Sequence, residues 1–452
     1  MQICECEDLP ATNAGQTDED ESAVYDEKNK ILTCWENTTV RIPDEYINDL
    51  YLINQDLYER KIIDKPFEIL INKKIRITQY VGLVQVSDLT IQVLPKVSSK
   101  FNKNDAMKNV LIMLLYSNNL PKVEVRTLSE LANRLNTIVE VLIFFYALGL
   151  EKALAQGINR AYVTQEYNSK YLRGQLIIEK EASKIDKSYF WIRTSDYVED
   201  NELNQFLKAA TRRFITLTQN WEIRRRLNRV LSYLVDVSDL KIENIKYKNM
   251  TFTRLNASYE PSYRLARLIL EKSGILVSRE KIKFYHFLID MNRLFQEFIA
   301  NFMNLNWRSL GHENTRLVIQ GVGVGPYYLG EWHLKQRMDY QLIPDLIITD
   351  TEHTPLMIMD TKYKQVDDKD SDRPKTTPED LYQLYAYLRN INCKKGLIIY
   401  PSYRETKLYE DHFEFDNNHL LFFSKVNLDF GENWEDDLLN DIKESLRLFY
   451  NS

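Results

Sequence analysis

Hydrophobic and polar positions change their rhythm three times along this chain. Between Ile31 and Val97 the apolar residues fall in short runs rich in Ile and Val, "FEILINKKIRIT", "YVGLVQVSD" and "LTIQVLP", separated by turn-prone residues. Such runs read as strands and predict a β-rich N-terminal domain over 30–100. From 105 to 156 the spacing is helical, with a break at "NNLPK" where Pro121 ends one helix and Leu128 onward begins another. The longest apolar run, "VLIFFYALGL" from Val141 to Leu150, lies between Glu140 and Glu151 and is half the roughly 20 residues of a spanning helix, so it predicts a buried helix. Helical spacing dominates to about residue 275, with a strand-like core around Leu176 to Ile178 and a helical apolar face at Leu203, Phe206, Leu207, Ala210 and Phe214. This gives a mainly helical middle region over 101–280. Arg224, Arg225, Arg226 and Arg229 follow on the next helix, as a solvated face or, less simply, as a contact for phosphates or a partner.

From Phe284 the pattern becomes helix, strands, helix, strand, which predicts an α/β domain over 281–452. "FYHFLIDMNRLFQEFIANFM" reads as one long helix with Leu288, Met291, Phe295, Phe298 and Phe302 on one stripe. Strand-like runs follow at "RLVIQGVG", "DLIITD", "PLMIMDTKY" and "KKGLIIYPS". Residues 1–29 are polar and acidic and are expected to form a flexible arm. The expected fold class is therefore α+β, with several domains.

An apolar share of 44% and a charged share of 27% over 452 residues are those of a soluble globular protein. No charged n-region followed by an apolar segment opens the chain, so a cytoplasmic location is expected and no membrane association. Cys4, Cys6, Cys34 and Cys393 include no CxxC pair, which argues against a disulfide framework or a thiolate cluster. The net charge of −6 arises at the start: the first thirty residues hold nine acids and two lysines, leaving 56 acids and 57 bases in the rest. A nearly neutral body leaves a DNA substrate open.

Candidate chemistry gathers in "PDLIITDTEHTPLMIMDTKYK", from Pro344. The five residues at 350–354 read as a hairpin loop between two apolar strands. With the hairpin centred between Glu352 and His353, Asp345 faces Asp360, and opposed residues have Cβ atoms about 4.5–5.5 Å apart. Lys362 projects on the same face as Asp360. Two facing carboxylates repel, and a divalent cation between them removes the penalty. Oxygen donors with open water positions suit Mg²⁺ or Mn²⁺, an ion that could polarise a phosphate while Lys362 offsets developing charge. Phosphodiester hydrolysis fits this set, although the spacing alone fits charged strand ends equally well. The helix after "TTPED" has Thr377 as its N-cap and carries Gln383 and Tyr387 four apart on one face. On the upstream helix Glu297 lies within about 60° of Leu294 and can look inward.

The order Glu297, Pro344-Asp345, Asp360-Thr361-Lys362 and Gln383-x-x-x-Tyr387 resembles the PD-(D/E)xK nuclease superfamily, in the branch shared with RecB-type nucleases. Over most of 31–450, the segments "YVGLVQVSDLTIQVLPK", "LRGQL", "EDNELNQFLKAA", "NRLFQEF" and "DTKYK" resemble the McrC family, the nuclease subunits of McrBC modification-dependent restriction systems. The resemblance implies a restriction-endonuclease-like C-terminal domain with Asp345, Asp360 and Glu297 around Mg²⁺ or Mn²⁺, Lys362 as the catalytic lysine, and Gln383 and Tyr387 as supports. It also implies an McrB-like AAA+ GTPase hexamer as partner and double-stranded DNA with modified cytosine as substrate. The absence of a GxxxxGK[ST] loop agrees with nucleotide hydrolysis by the partner. The acidic arm is no part of the family pattern, and the chain is long enough to hold an insertion in its middle. Two other readings are a non-cleaving activator or scaffold of the ring and a stand-alone RecB-type nuclease.

Overall fold

Six strands form the first sheet, in the order Ala23–Asp26, Ile31–Trp35, Leu89–Leu94, Tyr80–Val86, Lys283–Asp290 and Ser273–Val277. Ile31–Trp35 and Leu89–Leu94 run parallel, and the other neighbours are antiparallel. The computed structural model describes residues 23–59, 66–70, 74–95, 102–118, 120, 122–182, 188–240, 250–277, 283–311, 313–322, 324–332, 337–364, 376–402, 412–415 and 418–451. Residues 1–22 of the expected acidic arm thus lie outside the described residues. The rest of that segment is not an arm: Ala23–Asp26 is a strand paired in register with Ile31–Cys34.

The Ile- and Val-rich runs do form strands, including Phe67–Ile69 and Lys74–Ile77 in a second, three-stranded sheet with Thr39–Arg41. Between them lies a helix, Asp44–Glu59, that the strand-like reading of 30–100 omits. Its Leu50, Ile53 and Leu57 recur at helical spacing, and all three are fully buried with Val84 and Ile91 on one face of the first sheet.

The largest correction falls on the expected long helix from Phe284. Lys283–Asp290 is a strand, and the helix is Met291–Leu310. Period two explains it: Tyr285, Phe287 and Ile289 enter one core, while Leu288 enters the other. Asp290 then caps the helix, its Oδ1 accepting from the N–H groups of Asn292 at 2.9 Å and Arg293 at 3.4 Å. The strand lies opposite Gly82, whose φ is +142°. A Cβ there would stand 2.0 Å from the carbonyl oxygen of Phe287, so only glycine admits this pairing.

The middle of the chain holds helices Lys103–Ser117, Val125–Arg134, Ile138–Gln156, Glu202–Leu217, Trp221–Tyr233 and Glu260–Lys272. The helix after Pro121 thus starts at Val125, three residues before Leu128. The apolar run 141–150 is buried inside Ile138–Gln156, and the face from Leu203 to Phe214 is buried as expected. A three-stranded sheet of Ala161–Ser169, Phe190–Val198 and Gln175–Leu176 interrupts the helices, and Ile178 starts a short helix rather than ending a strand. The basic run turns back on the protein: Arg226 and Arg229 both pair with Glu151, and Arg224 Nε donates to the carbonyl of Thr218 at 2.8 Å.

The C-terminal sheet has the order Thr315–Ile319, Leu346–Asp350, Pro355–Thr361, Lys395–Ser402, His419–Asn427 and Phe413–Phe415. Its central strands are buried on both sides. Met357 and Met359 share a core with Phe298 and Leu446, residues of helices Met291–Leu310 and Trp434–Asn451; Ile358 packs with Leu384 and Leu388 of helix Pro378–Ile391. This helix–sheet–helix sandwich explains why "LIIT" and "LMIM" read as continuous apolar runs. A further hairpin, Tyr327–Trp332 with Arg337–Leu342, pairs outside the sheet.

Candidate active site

The hairpin around 350–354 sets the register of the site. Leu346 pairs with Met359, Ile347 with Ile358 and Ile348 with Met357; one position further, the same register puts Asp345 opposite Asp360. Nearer the loop Thr349 pairs with Pro355, so a bulge lies between. Asp345 Oδ2 accepts from both the N–H and the hydroxyl of Thr361, at 2.7 and 2.6 Å, and its Oδ1 accepts from Gln296 Nε2.

Asp360 Oδ2 meets Lys362 Nζ at 2.7 Å, and that ammonium also donates to Gln383 Oε1 at 2.7 Å. The Gln383 amide is oriented in turn by Tyr387, whose hydroxyl accepts from Nε2 at 2.8 Å and donates to the carbonyl of Ile343 at 3.4 Å. Tyr387 itself is buried in the apolar core under its helix. A connected chain thus runs from Asp360 through Lys362, Gln383 and Tyr387 back to Ile343, two residues before Asp345.

These groups open into a cavity of about 470 Å³, which Asp380 and Lys364 also line. Lys364 Nζ holds both oxygens of the buried Asp380 at 2.9 Å. Asp290, Arg293 and Gln296, from the start of helix Met291–Leu310, complete one wall. Burial, followed by the charge of Asp345, pushes the Asp360 carboxyl up to about 7, against the pull of Lys362. Burial likewise raises Asp345, although Thr361 opposes it. Burial works to lower Lys362, but the carboxylates, Asp360 first, outweigh it and hold the ammonium charged.

Of the six residues singled out in the sequence, Asp345, Asp360, Lys362 and Gln383 line the cavity, and Tyr387 stands behind Gln383. Glu297 is not brought to it. Its carboxylate is held by Arg293 Nε at 2.7 Å on the helix surface. Around the helix axis Glu297 and Gln296 flank opposite edges of the apolar stripe, and the cavity lies on the Gln296 side. The sequence does not single out Gln296, Lys364, Asp380 or Asp290, and it offers Thr361 only as part of the Asp360-Thr361-Lys362 motif. The second lysine of "DTKYK" and the first-turn acid of "TTPED" were the available signals for Lys364 and Asp380.

Residues 75–401 match the family described as McrBC 5-methylcytosine restriction system component. The chain belongs to the McrBC family. This McrBC component shares its fold with a chain of the refined half-complex from a tetradecameric assembly of Thermococcus gammatolerans McrB AAA+ hexamers with bound McrC, at a TM-score of 0.63 and 22% identity, covering 92% of this chain and 99% of that one. A chain of the Thermococcus gammatolerans McrBC complex gives a TM-score of 0.46 at 24% identity, covering 62% and 88% of the two chains. No curated protein matches the McrBC component in sequence. None of its described helices is long and apolar enough to cross a membrane.

Among the described residues no group of three or more His, Cys, Asp or Glu side chains is set to hold a metal ion. The pair Asp345 and Asp360 nonetheless suits one class of ion. Asp360 is buried and Asp345 half-buried, and both are raised in pKa, so a cation would relieve their repulsion, and two hard oxygen ligands leave the water positions that Mg²⁺ or Mn²⁺ retains.

Proposed function

We propose that this chain is the McrC-type nuclease subunit of an McrBC system, cleaving DNA that carries modified cytosine while bound to an McrB-like AAA+ GTPase hexamer and stimulating its GTP hydrolysis. The observation that carries the reading is the opposition of Asp345 and Asp360 with Lys362 Nζ 2.7 Å from Asp360, at the mouth of an open cavity. The family match and the fold shared with a chain of an McrB–McrC assembly support the partner and the modified DNA.

Asp345 and Asp360 would hold a magnesium or manganese ion, which supplies a Lewis acid for the scissile phosphate. Thr361 and Gln296 fix the Asp345 carboxylate by three hydrogen bonds, so its oxygens need no rearrangement when an ion or phosphate arrives. Lys362, held by Asp360 and Gln383, keeps a charged donor aimed into the cavity, where it stabilises charge developing on a phosphate oxygen. Tyr387 keeps the Gln383 amide oxygen turned toward Lys362.

Replacing Asp360 with Ala and, separately, Lys362 with Ala tests this reading in the assembled complex. Each variant is expected to lower cleavage of modified DNA by about 100-fold or more, with the partner's GTP hydrolysis kept. Persisting cleavage in Asp360→Ala overturns the site. An unaltered chain that stimulates GTP hydrolysis without cutting would leave an activator in place of a nuclease.

A further inference from the structure

One hydrogen bond joins the candidate site to a residue more than three hundred positions away. Beyond Thr361 the backbone stays attached to the neighbouring strand, the Lys362 N–H donating to the Ile399 carbonyl at 3.0 Å; it then turns, the Lys364 N–H donating to the Lys362 carbonyl at 2.9 Å. Lys362 reaches Asp360 and Gln383, and Lys364 reaches Asp380. Tyr363, between them, turns toward the N-terminal sheet. Its ring packs on Phe295 with centroids 5.8 Å apart, and its hydroxyl donates to Glu36 Oε1 at 2.8 Å.

Glu36 is buried and directly follows strand Ile31–Trp35, and its own N–H donates to the Leu94 carbonyl at 2.9 Å. The acceptor therefore stands on backbone fixed by the sheet. The same sheet also carries the start of helix Met291–Leu310, which lines the cavity: Asp290 pairs with Tyr80, and the Met291 N–H donates to the Gln79 carbonyl at 3.2 Å. Two parts of the cavity lining are thus tied to one sheet.

We infer that Glu36 and Tyr363 form a positioning contact through which the N-terminal sheet holds Lys362 and Lys364 in their working geometry. The inference rests on the nuclease reading. A lysine side chain carries much rotational freedom, and reacting groups lose rate steeply when displaced by an ångström, so an anchor on the residue between two lysines bears on the chemical step rather than on substrate affinity.

The test uses the full chain with its AAA+ GTPase partner, GTP, Mg²⁺ and DNA containing 5-methylcytosine. Tyr363→Phe and Glu36→Ala are each expected to lower kcat for cleavage about tenfold, with KM for DNA and partner GTP hydrolysis unchanged and the melting temperature lowered by no more than a few degrees. The double variant should be no worse than either single one, and Glu36→Gln, whose amide oxygen still accepts, should recover most of the rate. Tyr363→Phe cutting within twofold of the unaltered chain overturns the inference. So do additive losses in the double variant, or a fall in kcat matched by falls in melting temperature and GTP hydrolysis. An unaltered chain that fails to cut overturns the nuclease reading and this inference with it, whereas normal cutting by the unaltered chain and by Tyr363→Phe alike overturns the inference alone.

Discussion

Asp360 ionises reluctantly because it is buried next to Asp345, and its carboxyl is pushed from 3.8 to about 7. A group whose pKa is higher folded than unfolded contributes stability below its unfolded value and loses it as pH rises through the folded one. In chelator the protein should therefore lose this contribution between pH 3.8 and about 7, and Asp360→Asn, which removes the ionisation, should raise the melting temperature at pH 8 by about 1 °C per kcal/mol relieved, with a smaller gain at pH 5. A variant that melts lower at both pH values contradicts this. Mg²⁺ competes with the same proton, so its stabilisation of the unaltered chain should be greater at pH 8 than at pH 6. The residues of this site that the sequence made legible share one property: Asp345, Asp360, Lys362 and Gln383 follow from counting along a strand or a helix. Thr361 and Gln296 reach Asp345 from different elements, and a helical wheel that brings Glu297 to the edge of an apolar stripe does not say on which flank of that stripe a neighbouring sheet will end.

Helix Met291–Leu310 and the strand before it carry the contrast to the scale of elements. The stripe from Met291 to Phe302 was legible, but "FYHFLID" satisfies a helical and a strand period for one turn, and only its partner Tyr80–Val86, some two hundred residues earlier, decides between them. Gly82 makes the pairing possible. Gly82→Ala should therefore destabilise the protein by more than about 1 kcal/mol, since the new Cβ meets the Phe287 carbonyl and alanine resists a φ of +142°. Hydrogen exchange over 283–290 should speed up in the variant; unchanged protection there would show that the strands can part without cost. The hairpin shows a second control at this scale. Pairing begun at Thr349 and Pro355 and continued residue for residue, with Ile348 against Leu356, would set Asp345 against Met359; the bulge at Leu356 restores Asp360 as its partner.

Across the whole molecule the elements were easier to foresee than their association. One apolar core runs without interruption from Trp35 and Val81 of the first sheet, through helices Lys103–Ser117 and Ile138–Gln156, to Met359 and Leu446 of the C-terminal unit. Within it Tyr116 meets Phe298, Phe302 and Trp434 at ring separations of 5.6–5.7 Å, joining helix Lys103–Ser117 to helices Met291–Leu310 and Trp434–Asn451. No local pattern encodes that junction, because each ring was already explained by the apolar face of its own helix. A fragment of residues 281–452 should accordingly expose the face of Met291–Leu310 that packs on Lys103–Ser117, bind a hydrophobic dye and melt without a cooperative transition. A fragment with a sharp melt and protected amides would show instead that the α/β unit stands alone. If the chain cuts DNA as proposed above, the shared core is also a safeguard: a protease that severed the C-terminal unit from the rest would release a chain that no longer packs around its carboxylates, and not a nuclease freed from control.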